Sequence, residues 1–184
     1  PAGRSQFDYL VGQQYSVNHL AMPHHLLILD NTVLTNFALV GHADLVFTLQ
    51  GIVCGTTQAV IKEYAAGSTT RGLPAGAWQE LQILILQPDE SAFADRLPPQ
   101  LGLGERTCIA VAVQRQTILA TNDADARREA KRHGVHLTGS LGLLALCICQ
   151  NVISLTAGNR LLADMIAQGY RSPLLCLDDL VSYL

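Results

Sequence analysis

Charge is scarce in this chain. Only 15% of its 184 residues are Asp, Glu, Lys or Arg, and 12 Lys and Arg against 15 Asp and Glu leave a formal net charge of −3. So little positive charge does not hold nucleic acid by bulk electrostatics, so any such contact must be local and is expected to be bridged by metal. The long apolar run of a membrane span is also missing. The densest stretch, Leu141 to Cys149, falls far short of the roughly 20 residues required. Residues 1–25 show no basic start followed by an apolar stretch, so no secretory signal is expected. The five cysteines, at 54, 108, 147, 149 and 176, form no C-x-x-C pair, and most lie in apolar surroundings, as reduced cytosolic thiols do. A cytoplasmic location follows as an expectation. Two nucleotide-binding signatures are lacking as well. No G-x-x-x-x-G-K-[ST] occurs, and Gly102-Leu103-Gly104 has no third glycine and no strand directly before it.

What is present is apolar sequence, 49% of the chain, enough to bury a real core. Short apolar runs alternate with helical stretches. Leu26 to Leu29 reads as a compact buried strand closed by Asp30, and Val33 to Leu49 as helical. Ile52 to Cys54 reads as a brief strand, with Gly55-Thr56-Thr57 capping a helix from about Gln58 to Ala66. Gly67 to Gly76 reads as a flexible connection. Further strands are expected at Leu81–Leu86, Thr117–Thr121 and Val135–Thr138. Further helices are expected at Asp89–Leu97, Glu105–Gln114, Ala124–His133, Leu141–Cys149 and Asn159–Gln168. Strands separated by helices of ten or so residues predict βαβ units, hence an α/β domain with a mostly parallel central sheet and helices on both faces. Residues 1–25, which include His19, His24 and His25, are expected to be a loose extension, with 26–184 as one domain.

Ligands in such folds bind beyond the carboxyl ends of the strands. Asp30 directly follows one strand, and Asp123 follows another after a single Asn, with Asp125 two residues on. Acids placed after strands ordinarily cap the next helix, and Asp125 also reads as a first-turn acid. Glu63 and Glu105 fit that explanation less well. Glu63 shares a helix side with Ala59 and Val60, and Glu105 lines up with Cys108, Ile109 and Ala112 on an apolar face. A buried carboxylate is costly unless paired or metal-bound, although Glu105 gains something from its helix start. Four acids at one end of a sheet suit Mg²⁺ or Mn²⁺, hard ions that prefer oxygen ligands and keep several waters. One or two such ions activate water and offset the charge of a scissile phosphate.

The run Leu26-Leu27-Ile28-Leu29-Asp30-Asn31-Thr32-Val33-Leu34-Thr35-Asn36-Phe37 resembles the opening of PIN-domain nucleases. Val60-Ile61-Lys62-Glu63 is similar to their second acidic motif, and Leu101 to Arg106 followed by Ile109 to Ala112 to the third. Ala120 to Arg127 resembles the fourth, and Gly139 to Leu144 the Gly-Thr-Leu-Gly segment of one bacterial and archaeal branch; the resemblance as a whole covers roughly Leu26 to Leu184. The chain departs from the toxins of the family at Ala126-Arg127, where many carry a Phe, and in having the Gly139–Leu144 segment. The resemblance implies a three-layer PIN-like fold and a metal-dependent phosphodiesterase site, with an RNA substrate. It implies Asp30, Glu105 and Asp123 as metal-site acids, Glu63 supporting them, and Thr32 orienting Asp30 or a water. Asp125 and Ser140 would be auxiliary. Asn36 is expected in the site's hydrogen-bond shell, and Arg127 is weighed as a phosphate contact against an ordinary solvated face. Tyr64 and Trp78 are expected in the core or at an interface, and Cys147 and Cys149 on a buried helix. A homodimer is expected, and a cognate antitoxin if the chain is a toxin.

The residues also bear on two rival readings. Phosphotransferases with an aspartyl nucleophile need a second Asp where this chain has Thr32, which ranks them low. The other rival is a PIN-like module that binds nucleic acid or protein with little or no turnover.

Overall fold

A computed structural model of the chain describes residues 25–181. Five strands form one sheet in the order β3-β2-β1-β4-β5, and every adjacent pair is parallel. The strands are β1 (His25–Leu29), β2 (Ile52–Thr57), β3 (Gln82–Leu84), β4 (Ile118–Ala120) and β5 (His136–Thr138). The helices are α1 (Asn31–Leu39), α2 (Gln58–Arg71), α3 (Pro88–Arg96), α4 (Leu103–Gln114), α5 (Ala124–Arg132), α6 (Ser140–Cys149), α7 (Leu155–Ala167) and α8 (Asp178–Val181). Helices flank the sheet in a three-layer α/β arrangement, as expected. Helix α4 lies across β1, β2 and β4, and α1 packs on α6 and α7.

The central strand explains itself. Leu27, Ile28 and Leu29 are at most 3% exposed because β1 is paired on both edges and covered by helices. Phe37 on α1 and Ile109 on α4 are fully buried in the same core. Truncating a residue such as Phe37 to Ala costs about 3–5 kcal/mol. Tyr64 and Trp78 are core residues, 4% and 6% exposed.

The differences from the sequence reading lie in element boundaries. The helix expected over Val33–Leu49 is two elements. Gly41, with φ of 74°, turns the chain after α1, and a 3-10 turn follows over Ala43–Thr48. Leu45 and Leu49 are nonetheless buried, so the apolar stripe was real and spanned a break. Strand β2 runs on to Thr57 because Gly55 to Thr57 pair with β3, and β3 itself is shorter than Leu81–Leu86. Helix α2 continues through Gly67 to Arg71, taking in half of the connection expected there. Helix α7 starts at Leu155, where the Ser154 hydroxyl accepts from Ala157 N at 3.1 Å. The short α8 was not foreseen. Cys54, Cys108 and Cys147 are buried, whereas Cys149 ends α6 in an exposed position and Cys176 is also exposed. The extension expected over residues 1–25, with His19 and His24, lies outside the described residues apart from His25, which opens β1.

Candidate active site

The sheet has its topological switch point at β1. From there the chain runs outward through β2 and β3 on one side and returns to β4 and β5 on the other. Crevices at the carboxyl end of such a switch are where open α/β sheets bind ligands. Asp30 leaves β1 into that crevice, its own N–H bonded to Ala120 O at 3.0 Å, and it is 1% exposed. It holds the N-cap position of α1, yet its side chain makes no capping hydrogen bond. Oδ2 accepts from Thr121 Oγ1 at 2.7 Å and from Thr32 Oγ1 at 2.9 Å. Oδ1 is buried with no hydrogen-bond partner. Burial raises the Asp30 pKa, and the bonds from Thr121 and Thr32 oppose that rise.

The other three carboxylates are tied to backbone amides. Asp123 caps α5, its Oδ1 accepting from Asp125 N and Ala126 N, both at 2.8 Å. Glu105, in the first turn of α4, accepts from Gly102 N at 2.9 Å. Glu63 reaches across from α2 and accepts from Gly104 N at 2.8 Å. A Cβ at residue 104 would stand 2.4 Å from Glu63 Oε2, so any side chain there would push the Glu63 carboxylate aside. The capping explanation thus holds for Asp123 and Glu105 and fails for Asp30.

The four acids nonetheless share one field. Burial raises the Glu105 pKa, and the nearby charges of Asp123, Asp30 and Glu63 push it the same way. The fully buried Cys108 thiol is raised well above its ordinary value, chiefly by burial and further by Asp30 and Glu63. As the side chains stand, no group of three or more His, Cys, Asp or Glu among the described residues could hold a metal ion. Glu63, Glu105 and Asp123 are each bonded to a backbone N–H instead. The donor chemistry still fits a small hard cation: oxygen ligands only, and one buried carboxylate oxygen, Asp30 Oδ1, with nothing to bond.

Behind the acids lies a polar shell. Thr32 Oγ1 accepts from Asn122 N at 3.0 Å, and Thr121 Oγ1 accepts from Asp123 N at 3.2 Å. Ser140 is fully buried, and its Oγ accepts from Asn122 Nδ2 at 2.9 Å and from Asn36 Nδ2 at 3.1 Å. Asn122 Oδ1 accepts in turn from Ser140 N at 3.0 Å and from the Tyr170 hydroxyl at 3.3 Å. Thr32, Asn36 and Ser140 thus lie in one hydrogen-bonded network around Asp30 and Asn122. Asp125 points elsewhere, pairing with Arg128 at 2.8 Å on an exposed face. Arg127 is half-buried. Its Nη1 donates to Thr121 O and Thr138 O at 2.8 and 2.6 Å, joining the ends of β4 and β5, and burial lowers its pKa. The sequence reading gave no role to Thr121, Asn122 or Tyr170. For the first two a signal existed, two polar residues directly after a buried strand; for Tyr170 there was none.

Comparison with known proteins matches residues 26–181 to a family model described as DUF3368, a PIN domain. No curated protein sequence matches the chain. Among solved structures it is similar to a PilT N-terminus domain protein from the hyperthermophilic archaeon Sulfolobus solfataricus, at 14% identity and a TM-score of 0.46, covering 65% of this chain and 91% of that one.

Proposed function

Because the chain belongs to the PIN-domain family described as DUF3368, we propose that it is a metal-dependent endoribonuclease that hydrolyses phosphodiester bonds of single-stranded or structured RNA. The observation that carries this reading is Asp30: buried at the switch point, held on one oxygen by two hydroxyls and unpartnered on the other. Asp30, Glu105 and Asp123 would hold Mg²⁺ or Mn²⁺. Such an ion, when bound, lowers the pKa of a water and offsets the charge of the phosphate under attack.

The protein's own residues prepare that event. Thr32 and Thr121 fix Asp30 through Oδ2, and Oδ1 would be the oxygen it offers to the ion. Glu63 holds the Gly102–Gly104 turn and so places Glu105. The Asn122–Ser140–Asn36 network holds the loop after β4, which carries Asp123. Glu105 Oε2 and Asp123 Oδ1 accept from backbone N–H groups, which fixes both carboxylates near the residue that would share the ion with them, Asp30. Water then attacks phosphorus in line, and the bond to the departing ribose oxygen breaks as that oxygen takes up a proton.

The same reading carries a cytoplasmic homodimer and, for a toxin of a toxin–antitoxin pair, a cognate antitoxin. Light scattering on the full chain tests the dimer, which predicts twice the chain's mass. Among the described residues no helix is long and apolar enough to cross a membrane.

The backbone bonds of Glu63, Glu105 and Asp123 favour a second reading, a PIN-like module that binds nucleic acid or protein with little turnover. One experiment separates the two. A mixed single-stranded RNA pool is incubated with Mn²⁺, Mg²⁺ or EDTA, using wild type and Asp30→Asn. Cleavage that needs metal and disappears in the variant supports the nuclease. Mn²⁺ binding in a calorimeter without cleavage supports the module, and neither binding nor cleavage rejects the metal site.

A further inference from the structure

The loop after β4 couples the two acids that stand at strand ends. Thr32 and Thr121 each give their one hydroxyl proton to Asp30 Oδ2, at 2.9 and 2.7 Å. Each hydroxyl oxygen then accepts a backbone N–H from that loop. Thr32 Oγ1 accepts from Asn122 at 3.0 Å, and Thr121 Oγ1 from Asp123 at 3.2 Å. The path of residues 122 and 123 thus places Asp123 directly and Asp30 through two hydroxyls.

That path is held by the Asn122 side chain. The Ser140 N–H can only donate, so the atom facing it at 3.0 Å is the amide oxygen, Oδ1. Nδ2 is left to donate to Ser140 Oγ at 2.9 Å. These two bonds tie the loop to the first residue of α6, beyond Ala120 and Thr138, the last register pair of β4 with β5. Asn36 of α1 donates to the same Ser140 Oγ at 3.1 Å. The backbone of Gly139 is extended, so its conformation does not call for glycine. A Cβ there would stand 2.7 Å from Asn122 Oδ1, and any side chain would push the amide aside.

Tyr170 reaches the same amide from a third direction. Gly169, with φ of 100°, turns the chain after α7, and the Tyr170 hydroxyl donates to Asn122 Oδ1 at 3.3 Å. Both lone pairs of that oxygen are then used. Burial pushes the Tyr170 pKa up to about 12, against the opposing effect of the Arg127 charge, so near neutral pH the phenol keeps the proton it donates.

We propose that Asn122 is a positioning residue of this site, and that Tyr170 is the anchor by which the segment after α7 holds it. Neither residue touches the reacting atoms. Asn122 acts through its backbone N–H on Thr32, hence on Asp30, and through the next peptide on Asp123. What the two acids do rests on the nuclease reading; how the loop is held does not.

Asn122→Ala and Tyr170→Phe are compared, in the full chain, with wild type and with Asn159→Ala. Asn159 also makes two side-chain hydrogen bonds, to Asp178 and Leu177 N, outside this network, so its loss measures stability alone. In EDTA, amide hydrogen exchange is expected to quicken about fivefold or more at residues 122, 123, 125 and 126 of Asn122→Ala, the worth of one hydrogen bond, and by less in Tyr170→Phe. The amide of Gly104, bonded to Glu63, is expected to keep its wild-type rate. Mn²⁺ binding by calorimetry is expected to weaken about fivefold in Asn122→Ala, less in Tyr170→Phe, and not in Asn159→Ala. Tyr170→Phe, which removes only a hydroxyl, stands in if Asn122→Ala does not fold. Unchanged exchange at residues 122–126, or exchange quickened equally at residue 104, overturns the proposal. Wild-type Mn²⁺ affinity in both variants overturns it as well. If the wild type binds no Mn²⁺ the nuclease reading falls, and the exchange rates alone decide whether Asn122 holds the loop.

Discussion

With Oδ2 held by two hydroxyls and Oδ1 without a partner, the Asp30 carboxylate destabilises the metal-free chain, because burial opposes its charge. Asp30→Asn is therefore expected to stabilise that form by about 1 kcal/mol, which in a chain of this size raises Tm by about 2–4 °C. Calorimetry in EDTA checks this, and a fall in Tm contradicts it. Thr121→Val acts in the opposite direction. It removes the shorter of the two hydroxyl hydrogen bonds to the buried Asp30 carboxylate and is expected to cost about 1–3 kcal/mol by urea denaturation. Gly104→Ala places a methyl group against Glu63 and so breaks the Glu63 bond to residue 104. The expected outcome is a stability loss of about 1 kcal/mol, the worth of one hydrogen bond, together with weaker Mn²⁺ binding, both read by calorimetry.

At the scale of elements, one buried ion pair secures the far side of the sheet. Glu90 on α3, 2% exposed, meets Arg115 at the end of α4 at 2.6 Å and caps its own helix through Gln87 N. The hydrogen bond from Arg115 is the main reason the Glu90 pKa lies below the usual glutamate range, against the opposing effect of burial. A carboxylate with a lowered folded pKa contributes stability above its unfolded pKa and loses it as pH falls through the folded value. The wild type should therefore lose stability on the acid side of the ordinary glutamate range, and Glu90→Gln should flatten that part of the profile. Arg115→Met leaves Glu90 buried without its partner. Because Arg115 is 29% exposed, the expected loss is about 2–3 kcal/mol, less than the ~3–5 of a fully buried pair. Neither residue stood out in the sequence, since 25 positions separate them and neither lies near a motif. Asp30, Glu105 and Asp123 stood out in the sequence because each sits at a local landmark, a strand end or the first turn of a helix. Asn122, Ser140 and Tyr170 meet only once β4, β5 and α6 are assembled; Tyr170 is 48 residues from Asn122, and no periodicity connects them. The helix expected over Val33–Leu49 failed for a related reason, because hydrophobic spacing carried across the turn at Gly41.

For the whole molecule, the alternation of strands and helices was enough to give the parallel sheet, and the order β3-β2-β1-β4-β5 then placed Asp30 and Asp123 at adjacent strand ends. A ligand bound by the folded state alone stabilises it by about 2.7 kcal/mol at a hundredfold excess over Kd. Mn²⁺ is thus expected to raise the wild-type Tm, and Asp30→Asn to remove most of that rise. Product analysis identifies what attacks the phosphodiester. RNA of defined sequence is cut in Mn²⁺, and the new ends are identified by mass spectrometry. Attack by water predicts a terminal phosphate monoester with no 2′,3′-cyclic phosphate, formed by the wild type and by neither the EDTA control nor Asp30→Asn. Cyclic phosphate ends that persist in EDTA and in the variant would contradict it.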